Sequence, residues 1–494
     1  MSVQTNSAEL DLSQKPAVHF IGIGGIGMSG LAKLLLESGF QVSGSDLREN
    51  SQTQHLQALG ATLRIGPHQE NLDWVKQTLG KSPDNRVTVI STAVKSDNPE
   101  LKQIQTLGLP IFHRSALLKA LLHSPVFAYQ DVVGVTGTHG KTTVTGMLGS
   151  ILNTENHQGT VIAGGRLPGF ATNAILGPVG GVAVAELDES DGSLVEYQPT
   201  VSIINNIELD HADHYTEGLE GVLRVFRQYV GSLRPGSRVF LNGDCPQTKR
   251  LFLNGGFEHV QVIWLSWYRP ELTSGYSIEC IGPSLGVIRY HETQTVLGNI
   301  QLQVPGQHNL WNALVSAAVS HHLGYEWDLI QSVLQQFSGM GRRFELVSTF
   351  RGIQWVDDYA HHPTEVQATI EAAREKLSKQ SEPGRLWVVF QPHRYSRLQA
   401  LWGDFLNAFD GIEGGLFFSD VYSAGEPEID SATASAFCQE WNLSAKRAVS
   451  AYYVPSPPFD SLRERLLSEV RPGDMVISMG AGSITQLFRE GLGK

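Results

Sequence analysis

The sequence predicts an α/β protein built from three domains. The chain of 494 residues has room for about three domains of roughly 150 residues each. Two Gly-rich segments, 22–30 and 134–143, each follow an apolar strand-like run and precede a run with helical spacing of apolar residues. Strand and helix patterns alternate toward the carboxyl end, which is typical of doubly wound parallel sheets.

These patterns also predict the domain boundaries. Residues 1–15 are polar, lack the apolar core of a signal peptide and are interpreted as a flexible tail. We expect a Rossmann-like domain over 16–121, a central phosphate-loop domain with a parallel or mixed sheet over 122–338, and a second Rossmann-like domain over 339–494.

Composition excludes several classes of protein. The chain is 41% hydrophobic and 17% charged, as in ordinary globular proteins. Its net charge of −12 argues against a general binder of nucleic acid or of anionic membranes. No apolar run reaches the roughly 18 residues that a membrane span requires. Three distant cysteines, Cys245, Cys280 and Cys438, exclude a disulfide framework and fit a cytoplasmic location.

The first Gly-rich segment predicts a nucleotide site. Gly22, Gly24 and Gly27 form the pattern G-x-G-x-x-G after an apolar run, and Asp46 ends the next strand-like run. The ligand could be NAD or another nucleotide diphosphate, or the glycines could serve only helix–strand packing. Two later strand-like runs end at Ser91 and at His113–Arg114, where open α/β sheets bind ligands.

The second Gly-rich segment predicts a phosphate-binding loop. In Gly137-Thr-His-Gly-Lys-Thr-Thr143, backbone N–H groups and the helix N-terminus would bind a polyphosphate. Lys141 would reach the β- and γ-phosphates, and the Thr142 hydroxyl would bind Mg²⁺. Val135 replaces the first glycine of the usual pattern G-x-x-x-x-G-K-[ST], so the loop is a variant. The alternative is a Gly-rich turn with a solvated lysine.

Acidic groups follow two later strand-like runs. Residues 186–191 begin with Glu186, and residues 205–214 contain His211. Because parallel strands end at one edge of a sheet, both groups can converge on the phosphate loop and hold Mg²⁺, which prefers oxygen ligands. Solvated acidic loops are the alternative. Further along, Asn309 and Asn312 lie three apart near a helix start, where they could bind a purine edge or merely cap the helix.

The C-terminal region contributes basic groups at strand ends. Arg342 and Arg343 lie in a Gly turn, where they could form a clamp on a γ-phosphate or a solvated surface pair. His361 follows the apolar-to-acidic run 355–358, and Arg394 and Arg397 lie three apart after the run 386–390. Such an arginine pair can bind a carboxylate or a phosphate.

In this order, the motifs resemble those of the Mur ligases of peptidoglycan synthesis. The resemblance covers nearly the whole chain, from residue 20 to about residue 483. The matching segments are Ile21–Gly30, Gly137–Thr142, Glu186–Asp191, Asn206–His211, His308–Asn312, Gly341–Phe344, Asp357–Pro363 and Gln391–Arg394.

The resemblance implies three binding sites. A UDP-sugar, not NAD, would contact Gly22, Gly24, Gly27, Ser29, Asp46, Ser91, His113 and Arg114. ATP would contact Gly137, Thr138, His139, Gly140, Lys141, Thr142, Thr143, Asn309, Asn312, Arg343 and Asp358. Two Mg²⁺ ions would use Thr142, Glu186 and His211. The muramoyl carboxylate and the amino acid would lie near Tyr359, His361, His393, Arg394 and Arg397. The catalytic group would comprise Lys141, His211, Arg343 and His361.

The resemblance also implies ATP-driven amide formation. The lactyl carboxylate of UDP-N-acetylmuramate would attack the γ-phosphate, and the amine of L-alanine would then displace phosphate from the acyl phosphate. We expect these two partners, no nucleic acid, no membrane insertion, and a monomer or weak homodimer. The nearest alternative is a recycling ligase that adds a tripeptide. The segment Glu189-Ser190-Asp191 favours L-alanine, because the recycling enzyme is expected to have Tyr in place of Ser190.

Two functions from other classes use only part of the sequence. An NAD-dependent dehydrogenase would use the Gly22–Gly27 segment, and a nucleotide sensor without catalytic activity would use the two Gly-rich loops. Both leave Glu186, His211, Arg343 and the pair His393–Arg394 without a role.

Overall fold

The chain folds into three β-sheets, each with helices packed on it. The computed structural model describes residues 6, 9–67, 73–74, 85–154, 156–170, 172–190, 192–210, 215, 217–253, 255–380, 384–444 and 447–489. The sheets have five, ten and six strands in chain order. The predicted three-domain α/β architecture is therefore confirmed. Within the described ranges, no helix combines the length and apolar character that crossing a bilayer requires.

The N-terminal sheet is parallel throughout and has the strand order β3-β2-β1-β4-β5. Its strands are β1 (Ala17–Ile21), β2 (Val42–Asp46), β3 (Thr62–Ile65), β4 (Arg86–Ile90) and β5 (Ile111–His113). Its helices are α1 (Ile26–Glu37), α2 (Ser51–Ala58), α3 (Pro99–Thr106) and α4 (Arg114–His123). This is the doubly wound arrangement that the first Gly-rich segment predicts.

Two predictions about this domain are corrected. Leu10 and Leu12 are buried in the hydrophobic core, so the described part of the expected tail packs on the domain. Apolar side chains at these two positions explain the difference, because burying each of them removes nonpolar surface from water. The predicted boundary between residues 121 and 122 falls inside α4, whose apolar face continues to Leu122.

The central sheet is mixed, with the strand order β15-β14-β13-β12-β11-β10-β6-β9-β7-β8. Strands β8, β14 and β15 pair antiparallel at the two edges. The strands are β6 (Asp131–Thr136), β7 (Thr160–Ile162), β8 (Ala174–Ile175), β9 (Val182–Glu186), β10 (Val201–Ile204), β11 (Arg238–Asn242), β12 (Gln261–Trp267), β13 (Tyr276–Gly282), β14 (Leu285–Tyr290) and β15 (Thr295–Gln301). The helices are α5 (Lys141–Leu152), α6 (Leu219–Ser232), α7 (Pro246–Leu253), α8 (Gln307–His322) and α9 (Trp327–Gln336).

The C-terminal sheet has the order β16-β17-β21-β18-β19-β20, with only β16 antiparallel to its neighbour among the described strands. The strands are β16 (Glu345–Phe350), β17 (Ile353–Asp358), β18 (Leu386–Phe390), β19 (Gly415–Phe418), β20 (Ala451–Tyr453) and β21 (Met475–Met479). The helices are α10 (Pro363–Leu377), α11 (Tyr395–Ala400), α12 (Trp402–Ala408), α13 (Ala434–Leu443), α14 (Asp460–Glu469) and α15 (Gln486–Arg489). Every residue of β18 and β21 is buried, which explains why all their side chains are apolar except that of Ser478.

The central sheet brings the predicted phosphate loop and acidic groups to one edge. Strand β6 lies between β9 and β10, and both neighbours run parallel to it. Thr136 therefore pairs with Ile204, and Val135 with Glu186, so the three strands end side by side. The carboxyl ends of these strands form the floor of the candidate site.

Candidate active site

The phosphate loop links β6 to α5 through two glycines in the left-handed region. Gly137 has φ +119° and Gly140 has φ +83°. A Cβ atom on Gly140 would lie 2.7 Å from Asn312 Oδ1 and closer still to the amide of Asn205. Both the backbone conformation and the close approach therefore require glycine at this position.

Two asparagines after β10 hold the loop in place. The Asn206 side chain accepts a hydrogen bond from His139 N at 2.7 Å, and Asn205 Nδ2 donates to His139 O at 2.8 Å. Trp311 Nε1 in turn donates to Asn205 Oδ1 at 2.9 Å. No role was predicted for these two asparagines. They directly follow β10, the strand beside β6, and this position could have indicated a contact with the phosphate loop.

Lys141 begins α5 and points back across the loop. Its Nζ donates to Gly137 O at 2.7 Å and to both carboxylate oxygens of Glu189 at 2.9 Å. Burial lowers the pKa of Lys141, but the carboxylates of Glu189, Asp188 and Glu186 outweigh burial, so the pKa rises. Burial raises the pKa of Glu189 to about 7 despite the opposing charge of Lys141. Lys141 is therefore a permanent cation beside a carboxyl group that titrates near neutrality.

Thr142 and Glu186 lie together as predicted for a metal site. Thr142 Oγ1 donates to Glu186 Oε1 at 3.1 Å, and Gly164 N donates to Glu186 Oε2 at 2.7 Å. The hydroxyl and the carboxylate are hard oxygen donors, which fit Mg²⁺. The third predicted ligand, His211, lies outside the described residues.

The larger cavity, of about 610 Å³, lies where all three domains meet. Gly27 and Arg114 line it from the N-terminal domain, and Tyr359 and His361 line it from the C-terminal domain. The central domain contributes Thr138, Gly140, Lys141, Thr142, Glu186, Asp188 and Asp210, among others. The cavity therefore joins the phosphate loop to residues predicted for the UDP-sugar and for the amino acid.

A second cavity, of about 300 Å³, also borders the phosphate loop. The predicted nucleotide residues His139, Thr143, Asn309, Asn312 and Asp358 line it, together with Trp267 and Trp311. Asn309 Nδ2 donates to Pro305 O at 2.7 Å, so part of this amide already bonds to the backbone. Apolar rings beside polar groups suit a nucleoside.

Three residues line both cavities: Gly140, Arg343 and Glu365. The Nη1 atom of Arg343 is 3.8 Å from Glu365 Oε1, and the guanidinium carbon of Arg343 is 5.1 Å from the ring centre of Tyr359. Asp358 accepts hydrogen bonds from the backbone N–H groups of Phe344 and Ala360, both at 2.7 Å. Burial raises the pKa of Asp358 to about 6.

His361 faces the larger cavity as a neutral base. The ring atom Nδ1 lies 2.9 Å from Tyr359 O, and the backbone N–H group of His361 donates to Glu365 Oε2 at 3.1 Å. Burial lowers the pKa of His361 to about 4. The imidazole is therefore unprotonated at neutral pH, which is the state that a proton acceptor needs.

The predicted carboxylate-binding residues of the C-terminal domain lie close together, with Arg397 between His393 and Asp210. Arg397 donates from Nε and Nη2 to Asp210 Oδ1 at 2.9 and 2.7 Å, and its Nη1 lies 3.2 Å from His393 Nδ1. Among the described residues, His393, Arg394 and Arg397 all lie outside the linings of the two cavities. Asp210 pairs with the guanidinium of Arg397 in this structure, and the predicted contact of Arg397 with a substrate carboxylate stays a prediction.

The predicted UDP-sugar residues divide into cavity-lining and structural positions. Gly27 and Arg114 line the larger cavity, and Arg114 Nη2 donates to Asp188 Oδ2 at 2.9 Å. Asp46 accepts a hydrogen bond from Gly24 N at 2.8 Å, so it holds the Gly-rich turn beside Gly22. Ser29 is 2% exposed and its hydroxyl donates to Ile26 O, which makes it a packing residue here.

The two remaining predicted UDP-sugar residues lie at strand ends of the same sheet. His113 caps α4 through Ser115, and Ser91 directly follows β4. Both lie outside the linings of the two cavities, as far as the described residues show. Their predicted contact with a UDP-sugar stays a prediction.

Contacts from α10 attach the C-terminal domain to the central domain. His139 Nδ1 lies 3.1 Å from Glu365 Oε1, and His139 Nε2 lies 3.4 Å from Glu208 Oε2. Thr364 Oγ1 donates to Glu208 at 2.9 Å, and His362 Nε2 lies 3.3 Å from Leu209 O. Ligand atoms of His139, Glu208 and His362 come within 4.8 Å of one another. The phosphate loop is thus part of the domain interface.

The N-terminal domain reaches the central domain through α1 and α4. Asn173 Nδ2 donates to Ile26 O at 3.0 Å, and the Arg114–Asp188 ion pair lies beside it at the cavity. Asp188 also lies close enough to Lys141 to influence its pKa. All three domains therefore place charged groups around one phosphate loop.

A phosphate loop enclosed by three α/β domains is the architecture of a nucleotide-dependent ligase, and three family models match this chain in that order. They are the Mur ligase family catalytic domain at residues 17–124, the Mur ligase middle domain at 135–320, and the Mur ligase glutamate ligase domain at 342–482. The chain belongs to the Mur ligase family.

Two of the most similar curated relatives are both UDP-N-acetylmuramate–L-alanine ligases. The one from Thermosynechococcus vestitus is 39% identical over 97% of this chain and 95% of its own length. The one from Pelobacter propionicus is 37% identical over 95% of this chain and 96% of its own length.

Solved structures show the same fold. The UDP-N-acetylmuramate–alanine ligase of Thermotoga maritima has a TM-score of 0.74 and 27% identity, over 96% of this chain and 97% of its own. A murein peptide ligase from Psychrobacter arcticus has a TM-score of 0.70 at 22% identity, over 97% of this chain and 99% of its own. At that identity the second likeness supports the fold alone.

Proposed function

We propose that this protein is an ATP-dependent ligase that joins L-alanine to the lactyl carboxylate of UDP-N-acetylmuramate. The main support is that two cavities share lining residues at the phosphate loop. Lys141 of the central domain and Arg343 of the C-terminal domain both line the larger cavity. Similarity to alanine ligases over nearly the full chain supports the choice of substrates. The products are the amide, ADP and phosphate.

The two cavities suit a reaction in two steps. ATP lies in the smaller cavity, with its triphosphate crossing the loop toward the larger one. The lactyl carboxylate attacks the γ-phosphate there, and the cations Lys141 and Arg343 offset the repulsion between the two anions. The resulting acyl phosphate reacts with the amine of L-alanine, and neutral His361 accepts the proton released. Walls from three domains keep water from the acyl phosphate.

Mg²⁺ belongs to this proposal as the ion that neutralises the triphosphate. Thr142 and Glu186 would hold it through oxygen atoms, and His211 would assist at a second ion. Arg397 pairs with Asp210 and Arg394 lies near Glu426, and we propose that both arginines bind the substrate carboxylates when the substrates are present. We further propose a cytoplasmic location and a monomer or weak homodimer.

Phosphate release tests the proposal. The protein is incubated with ATP, Mg²⁺ and UDP-N-acetylmuramate, and release is compared after addition of L-alanine, glycine, L-serine or the tripeptide. Release that depends on L-alanine supports the proposal. Release only with the tripeptide would identify the recycling reaction instead, and no release with any acceptor would rule out both ligases.

A further inference from the structure

Glu365 lies at the junction of the two cavities, where a carboxylate is unexpected. Gly140, Arg343 and Glu365 line both cavities, so a nucleotide bound in the smaller cavity as proposed would direct its γ-phosphate toward these residues. A fixed negative charge here repels a triphosphate. No sequence motif described above assigns a role to Glu365.

The contacts of Glu365 are those that a phosphate group would make. One oxygen lies 3.1 Å from His139 Nδ1 and 3.8 Å from Arg343 Nη1. The other accepts the backbone N–H group of His361 at 3.1 Å and lies 3.4 Å from His361 Nδ1. His139 belongs to the phosphate loop, and Arg343 is the cation that reaches the loop from the C-terminal domain.

Glu365, His139 and Arg343 are charged at neutral pH. Burial opposes ionisation of Glu365, but the positive charges of His139 and Arg343 keep its pKa below the usual range. Burial also lowers the pKa of His139, but the neighbouring carboxylates of Glu208 and Glu365 raise it to about 9. The side chains of Glu365 and His139 are each only 13% exposed, so solvent screens the pair weakly.

We propose that the Glu365 carboxylate competes with the γ-phosphate of ATP for Arg343 and His139, and thereby sets the affinity for ATP relative to ADP. This inference rests on the proposed use of ATP. Glu365 is a positioning residue: it holds two cations at the transfer junction in an orientation suited to an oxyanion. A bound γ-phosphate takes over these cations, whereas ADP lacks the group that can do so.

A purely structural role predicts the opposite outcome. Glu365 lies in the first turn of α10 and binds a backbone N–H group before it, as a helix-capping carboxylate does. If capping were its only role, a neutral substitution would loosen the domain interface and weaken ATP binding. The competition predicts tighter ATP binding, so the sign of the change separates the two roles.

The test compares nucleotide binding to three proteins by isothermal titration calorimetry. Glu365→Gln keeps the shape of the side chain and removes its charge. Glu371→Gln, an exposed position on the same helix, is the matched control. We expect Glu365→Gln to bind ATP roughly three- to tenfold more tightly than the wild type, with a smaller change for ADP and no change in the control. In an Arg343→Met background the gain for ATP should shrink.

Unchanged or weaker ATP binding by Glu365→Gln would overturn the inference while leaving the ligase proposal intact. Failure of the wild-type protein to bind either nucleotide would overturn both. Thermal unfolding checks that each variant is folded. If Glu365→Gln does not fold, Glu365→Asp replaces it, and its shorter, withdrawn carboxylate should tighten ATP binding by a smaller factor.

Discussion

At the scale of single residues, the site pairs its buried cations with carboxylates distant in sequence. Lys141 binds Glu189, 48 residues away, and Arg397 binds Asp210, 187 residues away. The loop pattern predicts Lys141 because that signal is local. Its partners could not be predicted, because they depend on which strands become neighbours. A buried ion without a partner is costly, which explains why these pairs form.

Replacement of Lys141 tests the centre of the site. Lys141→Ala removes the cation aimed at the transferred phosphate, so we expect kcat to fall by at least about a hundredfold. Binding of UDP-N-acetylmuramate, measured by calorimetry, should not change. Lys379→Ala, an exposed lysine of the C-terminal domain, serves as the control. Full activity of Lys141→Ala would refute the role assigned to it.

The same substitution leaves Glu189 buried without its cation. Lys141→Ala should therefore lower the free energy of unfolding by about 3 kcal/mol. The double variant Lys141→Ala with Glu189→Gln removes both charges and should recover part of that loss while remaining inactive. Chemical denaturation measures the difference between the single and the double variant.

Buried histidines predict how stability depends on pH. Burial lowers the pKa of His361 from 6.5 to about 4, and that of His393 to about 3. Between pH 6.5 and pH 4 the unfolded chain binds protons that the folded protein does not, so the free energy of unfolding falls as the pH falls. A shift from 6.5 to about 4 corresponds to about 3 kcal/mol for one group.

Denaturation of a histidine variant at several pH values checks this dependence. His393→Asn should flatten the change of the unfolding free energy between pH 6.5 and pH 4. The exposed His157→Asn should leave it as steep as in the wild type. Equal slopes for both variants would contradict burial as the cause.

At the scale of elements, the site is made by strand ends. The sequence predicted that the acidic group beginning at Glu186 would meet the phosphate loop, because parallel strands end at one edge. It could not predict that Asn205 and Asn206 hold the loop, because their amides act through His139 backbone atoms that only the folded strands bring near. The hairpins β13–β15, in a region without recognisable motifs, extend the sheet away from the site.

Substitution of Gly140 tests whether the backbone conformation of the phosphate loop is needed for ATP binding. Gly140→Ala adds a methyl group against Asn205 and Asn312 at a residue with φ +83°, so we expect ATP binding to weaken by more than about tenfold. Gly180 has a similar φ of +78° with no atom within 4 Å of an added Cβ, so Gly180→Ala isolates the backbone strain. Calorimetry with ATP compares the two variants. Equal effects would show that the close approach at Gly140 is unimportant.

At the scale of the whole molecule, charged contacts hold three independently built domains around one loop. Arg114–Asp188 links the first to the second, and Asp210–Arg397 and His139–Glu365 link the second to the third. The order and class of the domains could be predicted from chain patterns. The contacts between the domains could not be predicted. Residues that meet across a domain interface do not recur at a regular spacing in the sequence, so no pattern indicates them.

Arg397→Met tests whether the domain arrangement depends on a single contact. The substitution removes the Arg397–Asp210 ion pair that joins the central and C-terminal domains, so the C-terminal domain should move away and the radius of gyration measured by small-angle X-ray scattering should increase. Arg385→Met breaks a comparable pair with Asp474 within the C-terminal domain and should leave the radius unchanged. An unchanged radius in both variants would show that other contacts suffice to hold the domains together.

The residues before β1 pack on the N-terminal domain, and this affects the design of truncated forms of the protein. A chain that starts at the first strand would lose Leu10 and Leu12 and expose the apolar surface they cover. It would also lose the hydrogen bond from Asn6 N to Ile111 O and the ion pair between Glu9 and Lys119. Expression trials of the isolated N-terminal domain should therefore keep these residues, and a purification tag should be joined ahead of them through a flexible spacer.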